Sequence, residues 1–217
     1  DLDPHGNPQR EGDFRKAFST PLIVDRDGEK LLLSAGSRAV FGYDPRTGRE
    51  RWKFEHGDYS TAARPVHWNG IAFVMTGQGQ AGLLAIRING SGDVTKTHLA
   101  WKLDRGASKT PSPLIVDDLL YLATDDGHVI CLEPATGMEV WRGRAGGNLI
   151  ASPLCADGRI YLFTVQGKCT ILKAGRTHEV LATNTLDAGC MASPAVSGKA
   201  LIVRTKTHLY RIEEAAK

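Results

Sequence analysis

The 217-residue sequence has no two cysteines side by side and no Cys-x-x-Cys motif. Its four cysteines, Cys131, Cys155, Cys169 and Cys190, are scattered too widely for a zinc site and suit small buried hydrophobes in strands. Four thiols allow three full disulfide pairings, and the sequence selects none. No apolar run approaches the length of a membrane span. No block of one charge occurs either. The 27 Lys and Arg are interspersed with 24 Asp and Glu, for a net charge of +3, which argues against nucleic acid as the main partner. G-x-S-x-G and H-E-x-x-H are both missing, and the seven histidines fall in separate segments, so no hydrolase or metal site is legible. No window of eleven or more residues holds a helical period. The sequence begins at Asp1 without a charged, apolar, small-residue leader, which reads as a processed chain or a piece of a longer one.

What the chain does have is punctuation and repetition, with 24 glycines and 10 prolines separating short apolar runs. A polar-Pro step followed by apolar residues occurs five times: STPLIV, ARPVHW, PSPLIV, ASPLCA and ASPAVS. The prolines, Pro21, Pro65, Pro113, Pro153 and Pro194, are spaced by 44, 48, 40 and 41 residues, the period of four-stranded propeller blades. Each Pro run is followed by a turn and a second run (KLLLSA, IAFVMT, LLYLAT, RIYLFT, ALIVRT). A polar loop and a third run then follow (AVFGYD, GLLAIRI, HVICLEP, KCTILKA, HLYRIEE). These short stretches are rich in Val, Ile, Leu and aromatics and bounded by turn residues, and they read as strands.

Two turn phrases echo each other, DPRTG before Trp52 and EPATG before Trp141. Asp and Pro initiate such a turn and Gly supplies a positive φ, so the phrase reads as the junction between third and fourth strands. Trp52, Trp101 and Trp141 then fall on outer strands, where each ring can dock against the neighbouring unit. In the fourth unit the position counted from the Pro is Leu181. The second unit is longer by the insert NGSGDVTK (89–96), whose Asn89-Gly90-Ser91 reads as a turn.

These residues resemble the PQQ-like, quinoprotein-type β-propeller repeat with its tryptophan-docking motif, over about residues 19–214. The stretch from GLLAIRINGSGD to LEPATG and the closing ASPAVSGKALIVRTKTHLYRIE resemble extracytoplasmic propellers of planctomycete-type bacteria. More distantly, the repeat type resembles that of the BamB-like proteins. The resemblance implies an all-β propeller of four-stranded antiparallel blades, with units 19–62, 63–110, 111–150, 151–191 and 192–217, after a linker or closing strand at 1–18. Propellers of this kind usually have seven or eight blades. The chain is therefore expected to be part of a larger propeller, with a five-bladed ring closed by residues 10–18 as the alternative. An open arc would form a homodimer or retain a missing half-propeller.

A quinone dehydrogenase of this type would carry a vicinal cysteine pair, a tryptophan floor and acidic or amide ligands for calcium; the cysteine pair is absent and no calcium ligands are identified. The expectation is a non-catalytic protein- or ligand-binding scaffold with no cofactor and no metal, placed outside the cytoplasm by the resemblance. The alternatives are a fragment of a quinone-dependent dehydrogenase or the sensor domain of a larger protein. Loops joining fourth strands to the next first strands should share a face with loops joining second to third strands. That face is expected to present Arg38, Tyr59, Arg64, Lys109, Asn148 and Gln166 to a protein partner or a small polar or anionic ligand. The Asp125-Asp126 pair reads as a turn former, and His128 and His208 as equivalents within the repeat.

Overall fold

The computed structural model describes residues 12–213. They form five sheets in chain order, each built on an antiparallel meander, with one short strand out of sequence. The first sheet holds β1 (Leu22–Arg26), β2 (Glu29–Ala35), β3 (Ala39–Tyr43) and β4 (Glu50–Glu55). The second holds β5 (Val66–Trp68), β6 (Ile71–Met75), β7 (Leu83–Arg87) and β9 (Leu99–Leu103), and β8 (Gly92–Asp93) leaves it for the first sheet. The third holds β10 (Leu114–Val116), β11 (Leu119–Ala123), β12 (His128–Leu132) and β13 (Glu139–Arg144). The fourth holds β14 (Leu154–Ala156), β15 (Arg159–Phe163), β16 (Lys168–Lys173) and β17 (Val180–Thr185). The fifth holds β18 (Ala195–Ser197), β19 (Ala200–Arg204) and β20 (Leu209–Ile212).

In three of the two-residue hairpins joining first to second strands both positions have positive φ, and there the chain supplies Asp-Gly or Asn-Gly, at 27–28, 69–70 and 157–158; at 117–118 and 198–199 only the first position does. The second and third strands are apolar on both faces. Leu120, Tyr121 and Leu122 are all buried, because a sheet inside a propeller has a neighbour on each side. The core is accordingly a series of slabs between sheets. Leu33, Val40 and Trp52 meet Ala72, Val74 and Ile86. Phe73 and Leu83 meet Leu120, Leu122 and Ile130. Tyr121 and Val129 meet Ile160 and Leu162. The last slab is thinner, with Phe163 and Cys169 against Cys190 and Val203.

The docking tryptophans stand opposite small residues: Gly42 faces Trp52, Ala85 faces Trp101 and Cys131 faces Trp141, each beside a bulge. A Cβ on Gly42 would lie 2.4 Å from the Trp52 indole, so glycine is needed there for close approach. The Trp101 indole donates to Pro134 O and the Trp141 indole to Gly175 O, both at 2.9 Å and both across to the next sheet. In the fourth sheet the register pairs Ile171 with Ala182, so Ala182 and not Leu181 holds the tryptophan position. Counting from Pro153 misses this because the β16–β17 turn is one residue longer than the β12–β13 turn. That longer turn carries His178, whose ring sits 5.1 Å from Trp141.

Two further features depart from the sequence reading. The 89–96 insert contains β8, which pairs in parallel with β4 through Trp52–Gly92 and Lys53–Asp93 and gives the first sheet a fifth strand. Residues 12–18 form no closing strand. Gly12–Arg15 is a 3-10 turn, and Phe18 N donates to Thr61 O beside the first sheet. Residues 10 and 11 lie outside the described residues. Glycine and charge leave this segment little β propensity, and the fifth sheet has three strands among the described residues.

Candidate binding face

Two sets of loops are fastened together by backbone hydrogen bonds. Arg38 N donates to Asp58 O, Gln78 N to Tyr59 O and Ala107 N to Ala81 O. The pattern continues with Leu149 N to Asp125 O, Val165 N to Asn148 O and Lys206 N to Gly189 O. Each bond joins a loop between second and third strands to a loop leading out of a fourth strand, so both sets form one continuous face. The opposite face is made of hairpins and third-to-fourth-strand turns, joined by Ile88 N to Gly70 O and Ala174 N to Gly158 O.

The residue before each blade proline adds a second tie between sheets. Ser112 Oγ accepts from Arg64 N, Ser152 Oγ from Ser112 N and Ser193 Oγ from Ser152 N, at 2.9 to 3.0 Å. Between the first two sheets Ser19 Oγ donates to Ala63 O at 2.8 Å instead. The recurrent Ser-Pro step was visible in the sequence, but its role as a belt of interstrand acceptors was not. A side chain that bonds a residue some forty positions away leaves no local signature.

The six expected residues lie in these two loop sets or immediately beside them, in different surroundings. Arg38 is half-buried at φ 69°, Arg64 is exposed, and neither guanidinium bonds a described residue. Tyr59 is less available than expected, because Phe14 covers it at a ring distance of 4.4 Å. Asn148 and Gln166 are exposed, and Gln166 lies over Gly147. Lys109 is brought together with Asp125, Asp126, His128 and Arg142 around a cleft of about 370 Å³ between the second and third sheets. Asp125 accepts from Lys109 N at 2.7 Å, so its carboxylate ties the loop after β9 to the β11–β12 loop instead of closing its own turn. The Asp126 carboxyl is pulled down to about 2 because Thr124 and His128 both bond it. A hollow of about 400 Å³ on the opposite face is lined by Asp25, Arg26, Asn69 and Arg87, and Arg26 is already spent on Asn89 O and Gly90 O.

Nearby, Asp58 turns its carboxylate onto the Thr76 hydroxyl and Gln80 N. His56 is half-buried beside it, with both ring nitrogens buried and without a partner among the described residues, and burial pushes its pKa down to about 4.

The described residues do not fit a quinone. Trp52, Trp101 and Trp141 are wedged between sheets, and Trp68 donates to Asp118 on the opposite face at 2.9 Å. None is left to form a flat floor. The four cysteines are free thiols within the sheet packing, and burial raises Cys131 and Cys169 to about 11. Among the described residues no three His, Cys, Asp or Glu side chains gather as a metal set. No helix among them is long and apolar enough to cross a membrane.

Four-stranded antiparallel sheets packed in chain order, with tryptophans in the clusters between them, define a β-propeller of PQQ-like repeats. The sequence matches the family described as outer membrane protein assembly factor BamB over residues 9–143 and 93–174, and the chain belongs to that family. Among solved structures it is similar to BamB from Moraxella catarrhalis at 18% identity and TM-score 0.69, over 87% of this chain and 55% of that one. It is also similar to quinohemoprotein alcohol dehydrogenase ADHIIG from Pseudomonas putida HK5 at 18% identity and TM-score 0.65, over 94% of this chain and 41% of that one. The computationally designed Ika4 protein matches at 14% identity and TM-score 0.61, over 78% of this chain and 100% of its own. The chain thus spans about half the length of the BamB structure, and at these identities the likeness concerns the fold. No curated protein matches the sequence.

Proposed function

We propose that this chain is a non-catalytic, protein-binding propeller scaffold that works outside the cytoplasm and makes its contacts through the loop face. Membership of the BamB family supports the scaffold role and the location. The observation that carries the reading is the fastening of the two loop sets, which holds Arg38, Arg64, Lys109, Asn148 and Gln166 in place before any partner arrives. A preorganised surface loses little conformational entropy on binding. The Lys109 cleft would receive a polar side chain of the partner.

A photocrosslinking residue placed at Asn148 or Gln166 should trap a discrete protein partner, and the same residue at Asp157 on the opposite face should not. Equal trapping from both faces would overturn the assignment of the face. Calcium-dependent binding of pyrroloquinoline quinone in a calorimetric titration would overturn the non-catalytic reading in favour of a dehydrogenase fragment.

A further inference from the structure

Arg38 and Arg64 each occupy a position that the repeat elsewhere fills for a backbone reason. In the loops between second and third strands, the carbonyls of Gly127 and Gly167 accept from Ala145 N and Leu186 N. Their φ values are 85° and 94°. The equivalent carbonyl in the first sheet belongs to Arg38, which accepts from His56 N at 2.7 Å and sits at φ 69°. A long L-side chain in the left-handed region is strained where glycine is not. At the position before the proline, Ser112, Ser152 and Ser193 supply the belt's acceptors, whereas the second sheet has Arg64. An arginine accepts no hydrogen bond, so this link of the belt is made by Ser19 instead. Two arginines thus stand against the preferences of their own repeat, which is where function rather than folding selects the residue.

Their electrostatic surroundings agree. On the opposite face Arg51 is paired with Asp44 and Arg176 with Glu133, whereas the exposed Arg46 and Arg49 of the β3–β4 turn have no carboxylate partner among the described residues. On the loop face the carboxylates are held by other groups, Asp58 by Thr76 and Gln80 N, Asp125 by Lys109 N, and Asp126 by Thr124 and His128. Arg38, Arg64, Lys109 and Lys168 have no carboxylate partner among the described residues. A guanidinium offers a planar fork of donors that matches a carboxylate.

We propose that Arg38 and Arg64 anchor the carboxylates of an acidic segment of a partner protein, with Lys109 and Lys168 extending the contact along the rim. This rests on the scaffold reading above and names the chemistry of its partner.

The test is fluorescence anisotropy with a fluorescein-labelled deca-glutamate peptide at low salt, on the full chain and three variants. Arg38→Gly and Arg64→Ser should each weaken binding about tenfold, the value of one charge-assisted hydrogen bond. Lys199→Ser, which removes the same charge from an exposed hairpin on the opposite face, should leave binding unchanged within about twofold. Arg64→Ser should also raise Tm by about 2–4 °C, because the serine restores the missing belt acceptor, and Arg38→Gly should not lower it. A fall in Tm with unchanged binding would make the arginines structural and overturn the proposal. So would an equal loss from Lys199→Ser, or tighter binding of phosphatidylglycerol vesicles or a thymidine oligonucleotide than of the peptide. Failure of the peptide to bind, with crosslinking at Asn148 intact, would remove the acidic partner and leave the scaffold standing.

Discussion

The indole N–H of Trp141 donates to the carbonyl oxygen of Gly175 at 2.9 Å, tying the outer strand of the third sheet to a turn of the fourth. Trp101 makes the same tie to Pro134, but the Trp52 indole has no acceptor among the described residues. Trp52 is instead wholly buried, at 0% exposure, in one cluster with Ile88 and with Val94 of the inserted segment. Burial and hydrogen bonding are therefore separable between these two residues. Trp52→Ala should cost about 4–5 kcal/mol and Trp141→Ala about 3 kcal/mol, since lost packing outweighs one hydrogen bond. Urea unfolding of the two variants checks the order.

The serine belt makes a smaller claim. Ser152→Ala removes the acceptor of Ser112 N and should cost about 1 kcal/mol. Ser91→Ala, on the exposed insert, should stay within about 0.5 kcal/mol of the parent. Denaturation midpoints of the two variants, at matched slopes, distinguish a belt from an incidental contact.

The inserted segment should behave as part of the first sheet. Val94 is 1% exposed, and its N–H donates to Lys53 O, while Thr95 Oγ1 accepts from Glu55 N at 2.9 Å. Val94→Ala is expected to cost about 2 kcal/mol. Amide hydrogen exchange should quicken at Glu55 and Lys53 before it does in the third and fourth sheets.

His56 predicts an acid-sensitive fold. Its pKa is pushed down to about 4 by burial, against an ordinary value of 6.5, so the unfolded chain takes up a proton that the folded chain refuses. Stability should be full above about pH 6.5 and fall as the pH drops towards 4, by on the order of 3 kcal/mol. A His56→Leu variant should lose most of that slope in urea midpoints measured at pH 7 and pH 4.5. Asp126, with its pKa pulled down to about 2, adds a separate loss only below about pH 4.

Much of the architecture was legible because its causes are local. A strand of alternating or wholly apolar residues, an Asn-Gly hairpin and a Thr-Gly turn each declare themselves within about ten residues. That Arg38, Arg64, Lys109, Asn148 and Gln166 belong to loops at one end was implied by the propeller resemblance, and backbone hydrogen bonds join those two loop sets. The exchange of Leu181 for Ala182 did not, because one extra residue in a turn shifts a register that only pairing with Ile171 reveals.

By itself, then, the sequence determined the number of sheets, their strand order and which loops share an end, since each depends on neighbours along the chain. Tertiary structure decided the rest. It set the reach of β8 to β4, the cover of Phe14 over Tyr59, the serine belt and the lack of a carboxylate partner for Arg38 and Arg64 among the described residues. The contacts among these join residues 40 to 48 positions apart, and no pattern in the chain encodes which donor meets which acceptor until the sheets have packed.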